Sequence, residues 1–419
     1  MMKRTKLLVG MSVFWLGLAL LMDGLNSVVL PIQLLHVGGA RPAATTLGLV
    51  TFAGLLAALV IQPMAGEWSD RMRGVWGRTG AIAVALFGIL AGLFALGLGQ
   101  NLVSLFVAYL IIQAAASIGR AAMAAFIPDL LPYDKTGRAD ALRQGMLAAG
   151  SALGFLVLGS FLAAAALGPA LMVIGAVLTI AFLLTVLLLG ERPRVHGVRH
   201  SSPTWDDLYR FDFRTHRRYG WLVLSRGLFL VGVFAVSRFL LLFLVDRFGI
   251  DPSGAAEQSG LLLGGMVLVT VLFAPLAVTL AERLGHGFMM AVGALVSGAG
   301  IAALAFGGTT VYVLVGMLAI AFGSGAFLAA NAALADDLIP AVDSTKFKGL
   351  ANLASLAAAA LAGLFGPLLD WGAAMSPGKG YVLLFAAATI ALVIGTLAAR
   401  QGLAAPAAIG ETVTESSRS

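Results

Sequence analysis

Along the chain, apolar runs of about 20 residues alternate with short clusters of glycine, proline and charge, and the runs are continuous rather than alternating. Such a run crosses a hydrocarbon core of roughly 30 Å as a helix rising about 1.5 Å per residue. A membrane barrel would show shorter segments with a period of two instead. With turn residues and charges taken as boundaries, the pattern predicts twelve spans, near residues 7–36, 45–67, 79–99, 102–127, 141–167, 169–190, 220–245, 258–281, 287–307, 310–335, 347–371 and 380–400. The expectation is an all-α membrane protein.

One long polar stretch, ERPRVHGVRHSSPTWDDLYRFDFRTHRRY at 191–219, divides these spans six and six. The two sets share a plan. FIPDLLP at 126–132 is echoed by DDLIP at 336–340, which sets Asp129 and Asp337 208 residues apart. Pro63 with Asp70 and Arg71 is echoed by Pro275 with Glu282 and Arg283, each 212 residues on. Because each repeat holds an even number of spans, the repeats are parallel, related by an axis along the membrane normal. The expected organisation is a six-helix bundle over 1–190, a cytoplasmic central loop over 191–219, a second bundle over 220–400 and a disordered tail over 401–419. Residues 205–213 of the central loop read as an interfacial helix.

Composition supports this reading: 60% of residues are hydrophobic and 11% are charged, against roughly 25% charged in a soluble domain. Of the 27 Lys and Arg, 21 fall on the side of the N-terminus. Only Arg41, Arg247 and Lys379 fall on the other side, and Arg120, Arg226 and Arg238 lie within spans. By the positive-inside rule both termini are cytoplasmic, in a cell (inner) membrane. The net charge of +7 is thereby explained without a nucleic-acid partner. The N-terminal apolar run is too long for a cleaved signal. With no cysteine, thiolate catalysis and cysteine metal sites are excluded.

The loop between the second and third spans, IQPMAGEWSDRMRGVWGRTG at 61–80, carries five charges. Its Gly66, Asp70, Arg71, Gly77 and Arg78 resemble the inner-loop signature of the major facilitator superfamily. The resemblance implies two six-helix halves rocking about a midplane cavity, with this loop as a conformational latch: glycines make the turn, and a carboxylate faces a helix N-terminus or an arginine of the other half. The second-half copy, TLAERLGHG, keeps Glu282 and Arg283 but has Val278 in place of Gly66. QPMAGEWSDRMRGVWGR, LSRGLFLVGVFAVSRFLLLFLVDRFG at 224–249 and DDLIPAVDSTKFKGLANLAS at 336–355 resemble the sucrose-type and glycoside-pentoside-hexuronide branches. That implies a proton-coupled sugar or glycoside symporter. Proton-driven export of drugs or metabolites and a non-transporting receptor or scaffold are the alternatives.

Polar residues inside spans are costly and point to function. In the superfamily that the chain resembles, spans 1, 4, 7 and 10 line the cavity, and Asp23, Arg120, Arg238 and Asn331 fall one on each. Asp23 and Arg238 both sit about 24 to 25 Å from the inner ends of their helices, a depth that permits either a static ion pair or a proton switch. Asn26 extends the Asp23 face, and Gln113 lies seven residues before Arg120. Glycines in GMLAAGSALGFLVLG at 145–159 fit close helix packing. No phosphate-binding loop, paired-histidine metal motif or hydrolytic triad occurs in the sequence. The expectation is a non-enzyme without cofactor, working as a monomer in the lipid bilayer on a small-molecule substrate with protons or another cation.

Overall fold

The computed structural model of the protein describes residues 2–37, 43–71, 77–131, 136–189, 213, 215–339, 344–376 and 378–404. Among these residues twelve helices are long and apolar enough to cross a membrane. They are α1 (Lys6–Val37), α2 (Ala43–Arg71), α3 (Arg78–Gly97), α4 (Leu102–Ile127), α5 (Gly137–Ala163), α6 (Leu167–Leu189), α7 (Arg217–Phe248), α8 (Pro252–Leu284), α9 (His286–Phe306), α10 (Thr310–Asp337), α11 (Lys346–Met375) and α12 (Lys379–Leu403). No strand occurs among the described residues. Most of the central loop and the tail beyond 404 lie outside them.

The largest boundary difference is at α8, which starts at Pro252 although hydropathy alone predicts 258. Residues 252–257 are expected to lie in the loop, but Asp251 accepts hydrogen bonds from Ser253 Oγ at 2.6 Å and from the Gly254 N–H at 3.0 Å. A capping carboxylate followed by proline at the first helical position starts a helix regardless of hydropathy. Those bonds, the Ser253 hydroxyl first, hold the exposed Asp251 carboxyl below the usual carboxylate range.

α1 is not a uniform rod. A helix over Val13–Gly24 passes through a wide π turn at Leu25–Val29 into a second helix from Leu30. Pro31 cannot donate to the Ser27 carbonyl, and its ring crowds that group; the wide turn lies directly before it. Such turns re-aim side chains inside otherwise regular helices, and this one carries Asn26. Pro63 and Pro275 sit inside α2 and α8, matching places in the two repeats.

Two compact units emerge from the packing. The first contains α1–α6 together with Ser237–Leu268 and Ala360–Tyr381. Its helices meet through glycines. A Cβ on Gly150 or Gly154 of α5 would stand 2.1 Å from the Leu16 carbonyl oxygen or 2.6 Å from that of Leu20, both on α1. A Cβ on Gly48 of α2 would stand 2.1 Å from the Gly363 carbonyl oxygen of α11. Near that contact the Asp370 carboxylate, on α11, accepts the Thr45 N–H in the first turn of α2 at 2.5 Å, a cap donated by another helix. Gly48→Ala is expected to destabilise the protein by about 1–3 kcal/mol, because the obstacle is backbone and cannot swing aside. A lowered Tm in detergent checks this, and an unchanged Tm refutes the close approach.

The second unit contains α7 up to Val236, Val269–Ala359 and the chain from Val382. Here Phe229 stacks on Phe327 with centroids 3.9 Å apart, and α9 and α10 approach through Gly293 and Gly323. The Tyr219 hydroxyl donates to the Phe347 carbonyl at 2.6 Å. Large apolar side chains such as Phe87, Phe94, Leu187 and Phe306 remain exposed, as suits helices solvated by lipid.

Candidate functional site

Two clusters of charge stand out in the first unit, and arginine organises both. The first joins the ends of α2, α3 and α4. Arg78, at the start of α3, is only 4% exposed. Its Nε donates to Asp129 Oδ2 at 2.6 Å, on the helix that carries α4, and its Nη1 donates to Ser69 Oγ at 3.1 Å. Its Nη2 stands 2.7 Å from Asp70 Oδ1, a charge contact whose N–H is not aimed along it. The guanidinium fork thus spreads over two carboxylates and a hydroxyl, a use for which lysine has the wrong shape.

The loop pattern leads one to expect a carboxylate that faces a helix N-terminus or an arginine of the other half; Asp70 meets Arg78 of its own loop. Gly66 is buried in the last turns of α2, and Gly77 opens the α3 helix. Arg71 is separate: its side chain is 81% exposed and lies 3.7 Å from Glu67 one turn back, a surface pair of little energetic weight. In the second unit Glu282 and Arg283 are exposed. The opening of α9, HGFMMAV, has no arginine to serve as a hub, so the second copy of the loop does not rebuild the cluster.

The other cluster lies deep in the spans. At the π turn of α1, Asn26 Oδ1 accepts a hydrogen bond from the Tyr109 hydroxyl of α4 at 2.7 Å, and Gln113 Nε2, one turn along α4, donates to the Tyr109 oxygen at 2.6 Å. The Tyr109 ring fits because Gly54 of α2 has no side chain; a Cβ there would stand 2.2 Å from the ring. Asp23, one turn before Asn26, accepts a hydrogen bond from Ser151 Oγ of α5. The close approach at Gly150 and Gly154 brings Ser151 to it.

The charge of Asp23 reaches Arg120 of α4 and Arg238 of α7. Among the described residues, however, no ion pair within 4.0 Å includes Asp23. The direct Asp23–Arg238 pair that equal depth permits is therefore not formed, because a hydroxyl rather than a guanidinium engages the carboxylate. Arg238 is 4% exposed, and its Nε and Nη1 have no protein partner. Arg120 likewise has Nε and Nη2 buried without a partner, although its place toward one end of α4 predicts a side chain reaching for the interface. Trp15, the deep tryptophan of α1, carries the Arg143 guanidinium over its ring at 5.3 Å, a cation–π contact.

Asn331 belongs to the second unit, where its Nδ2 donates to the Leu222 carbonyl at 3.2 Å. Its donor thus satisfies helix backbone. No group of three His, Cys, Asp or Glu among the described residues is placed to hold a metal ion.

The twelve candidate spans among the described residues and the Asp70–Arg78 contact in the loop after the second of them fit the resemblance that the loop sequence carries. Residues 8–257 match the Major Facilitator Superfamily. The chain belongs to this superfamily of membrane transporters. No curated protein sequence matches it. Among solved structures it is similar to a bacterial homologue of the human lysosomal transporter Spinster in an inward-facing, unoccupied conformation, with TM-score 0.73 and 17% identity over 96% of this chain and 98% of that one. An auto-inhibited POT-family peptide transporter is similar at TM-score 0.72 and 15% identity, over 96% of this chain and 97% of the other. The nucleoside transporter NupG gives TM-score 0.71 and 13% identity, over 96% of this chain and 100% of the other. At such identities these likenesses establish the superfamily fold alone, and their cargoes are those of the other proteins.

Four partners in these clusters, Ser69, Asp129, Tyr109 and Ser151, lie outside the candidate site residues named from the sequence. Asp129 had a signal, its recurrence as Asp337 in the second repeat. The four-residue spacing of Tyr109 and Gln113 on one helix face was a second. Ser151 had none beyond its place among the glycines of α5.

Proposed function

We propose that the protein is a proton-coupled secondary transporter of a small organic solute, working by alternating access as two six-span halves rock. The observation that carries the reading is the deep cluster. One acid, Asp23, lies in the field of two buried arginines on other helices, yet a serine holds it in place of an ion pair. A carboxylate so placed exchanges partners at little cost, because its charge is only loosely compensated, and solute or proton binding can tip it. Asn26, Gln113 and Tyr109 supply hydrogen-bonding groups beside it. The Asp70–Arg78–Asp129 hub acts as the latch at the cytoplasmic ends of α2–α4 and biases which side is open. Both termini are cytoplasmic in this reading, the membrane is a cell membrane and the monomer is the working unit. Resemblance of the loop and of 224–249 and 336–355 to sugar and glycoside carriers supports symport of such a solute.

The test uses purified protein in liposomes holding a trapped pH dye, given sugars, glycosides and lipophilic cations in turn. Inward proton movement on adding a sugar or glycoside is the expected result. Outward movement driven by a cation reassigns the protein to export, and no proton signal with any solute sinks the coupling.

A further inference from the structure

The deep cluster does not balance its own charge. Two guanidinium groups, Arg120 and Arg238, share the neighbourhood of Asp23 and Tyr109, and among the described residues Asp23 is the one carboxylate whose charge reaches both. Arg238 is more than nine-tenths buried, and each arginine leaves two buried donor nitrogens without a protein partner. A buried cation with open hydrogen-bonding positions is expensive unless something of opposite charge meets it. Arginine's planar fork suits a bidentate oxyanion. Gln113 gives its amide N–H to Tyr109, which the charges of both arginines reach, while its Oε1, also buried, has no donor. An acceptor left open beside two open cations matches a ligand that carries a hydroxyl as well as an anionic group.

We infer that the transported solute is a hydroxylated organic oxyanion, its carboxylate or phosphate taken by Arg120 and Arg238 and a hydroxyl by Gln113. This rests on the transporter reading and narrows it from any sugar or glycoside to an acidic one. The excess positive charge disfavours lipophilic cations at this site, since they would add to it.

The test is a set of probes matched in body and differing in charge: D-glucose, D-glucuronate, D-glucuronamide and glucose 6-phosphate. Each is added to the purified full chain, with the shift in Tm and titration calorimetry as readouts. Glucuronate or glucose 6-phosphate is expected to stabilise the protein, and whichever does so identifies the oxyanion. Glucose and glucuronamide are expected to have little effect. Arg238→Met should weaken anion binding by roughly tenfold to a hundredfold, the weight of a charge-assisted hydrogen bond. Without ligand that variant should melt at or above the wild-type temperature, because an unpartnered buried cation has been replaced by an apolar chain. Arg238→Gln should also lose anion binding and gives a second readout if the methionine variant expresses poorly. Equal stabilisation by glucose or glucuronamide overturns the inference, as does silence toward both anions. So does a ligand-free Arg238→Met that melts well below wild type, which would make Arg238 a structural counter-ion. Anion binding without counterflow of the same anion in liposomes keeps the oxyanion site and removes the transporter reading. Glucose counterflow without anion binding does the reverse.

Discussion

Arg78→Ala is expected to lose about 3 kcal/mol of stability and nearly all transport. Removing one partner of a buried ionic cluster costs about 3–5 kcal/mol, because the groups left behind are stranded in low dielectric. Here two carboxylates are stranded, with side chains 18% and 11% exposed for Asp70 and Asp129, and that partial contact with solvent places the loss at the lower end. Set against a native stability of about 5–15 kcal/mol, this is a large fraction. The measurement is Tm in detergent alongside transport in liposomes. Arg78→Met combined with Asp129→Asn should recover part of the loss, since one of the stranded charges is then gone; strict additivity would show that the two do not interact. Asp70→Asn separates the latch from the scaffold. It leaves the Arg78–Asp129 bond intact, so expression should be normal while transport falls. Unchanged transport in that variant would remove the loop from the mechanism.

Asp23→Asn is expected to keep exchange of solute across the membrane while losing uphill accumulation. The amide can still accept from Ser151, so the local packing survives. What disappears is the group to which the proposed coupling assigns the binding and release of a proton. One proton crossing about 100 mV carries about 2.3 kcal/mol, which sustains a solute gradient of roughly fiftyfold, since each 1.36 kcal/mol is a factor of ten. In the variant the gradient should collapse to unity while counterflow continues. Accumulation at the wild-type level would refute coupling through Asp23 and leave it a structural acid. The corresponding change at Arg71 should do little, because its side chain is solvated and its contact to Glu67 lies within one helix.

The spans were legible because the bilayer imposes a crude and strong rule: about 20 apolar residues per crossing. All twelve therefore emerged from the hydropathy pattern, and the start of α8 slipped only because a cap made by Asp251 and Ser253 overrides hydropathy locally. The loop cluster was half legible. Asp70 and Arg78 lie in one loop with a recognisable pattern, whereas Asp129 lies 51 residues beyond Arg78 and joins them only through the packing of α4 against α2 and α3.

By itself the sequence determined the number of crossings, the internal repeat, the superfamily resemblance and the short list of charges that the membrane makes expensive. Each follows from composition and spacing along the chain. Tertiary structure decided which of those charges meet and which do not. Helix rotation and the π turn of α1 aim Asn26 at Tyr109. Glycines of α5 bring Ser151 to Asp23, so that a hydroxyl takes the place that equal depth suggested for Arg238. A one-residue rotation of a helix moves a side chain by about 100°, and that angle is set by contacts with neighbouring helices, which spacing along one chain does not encode.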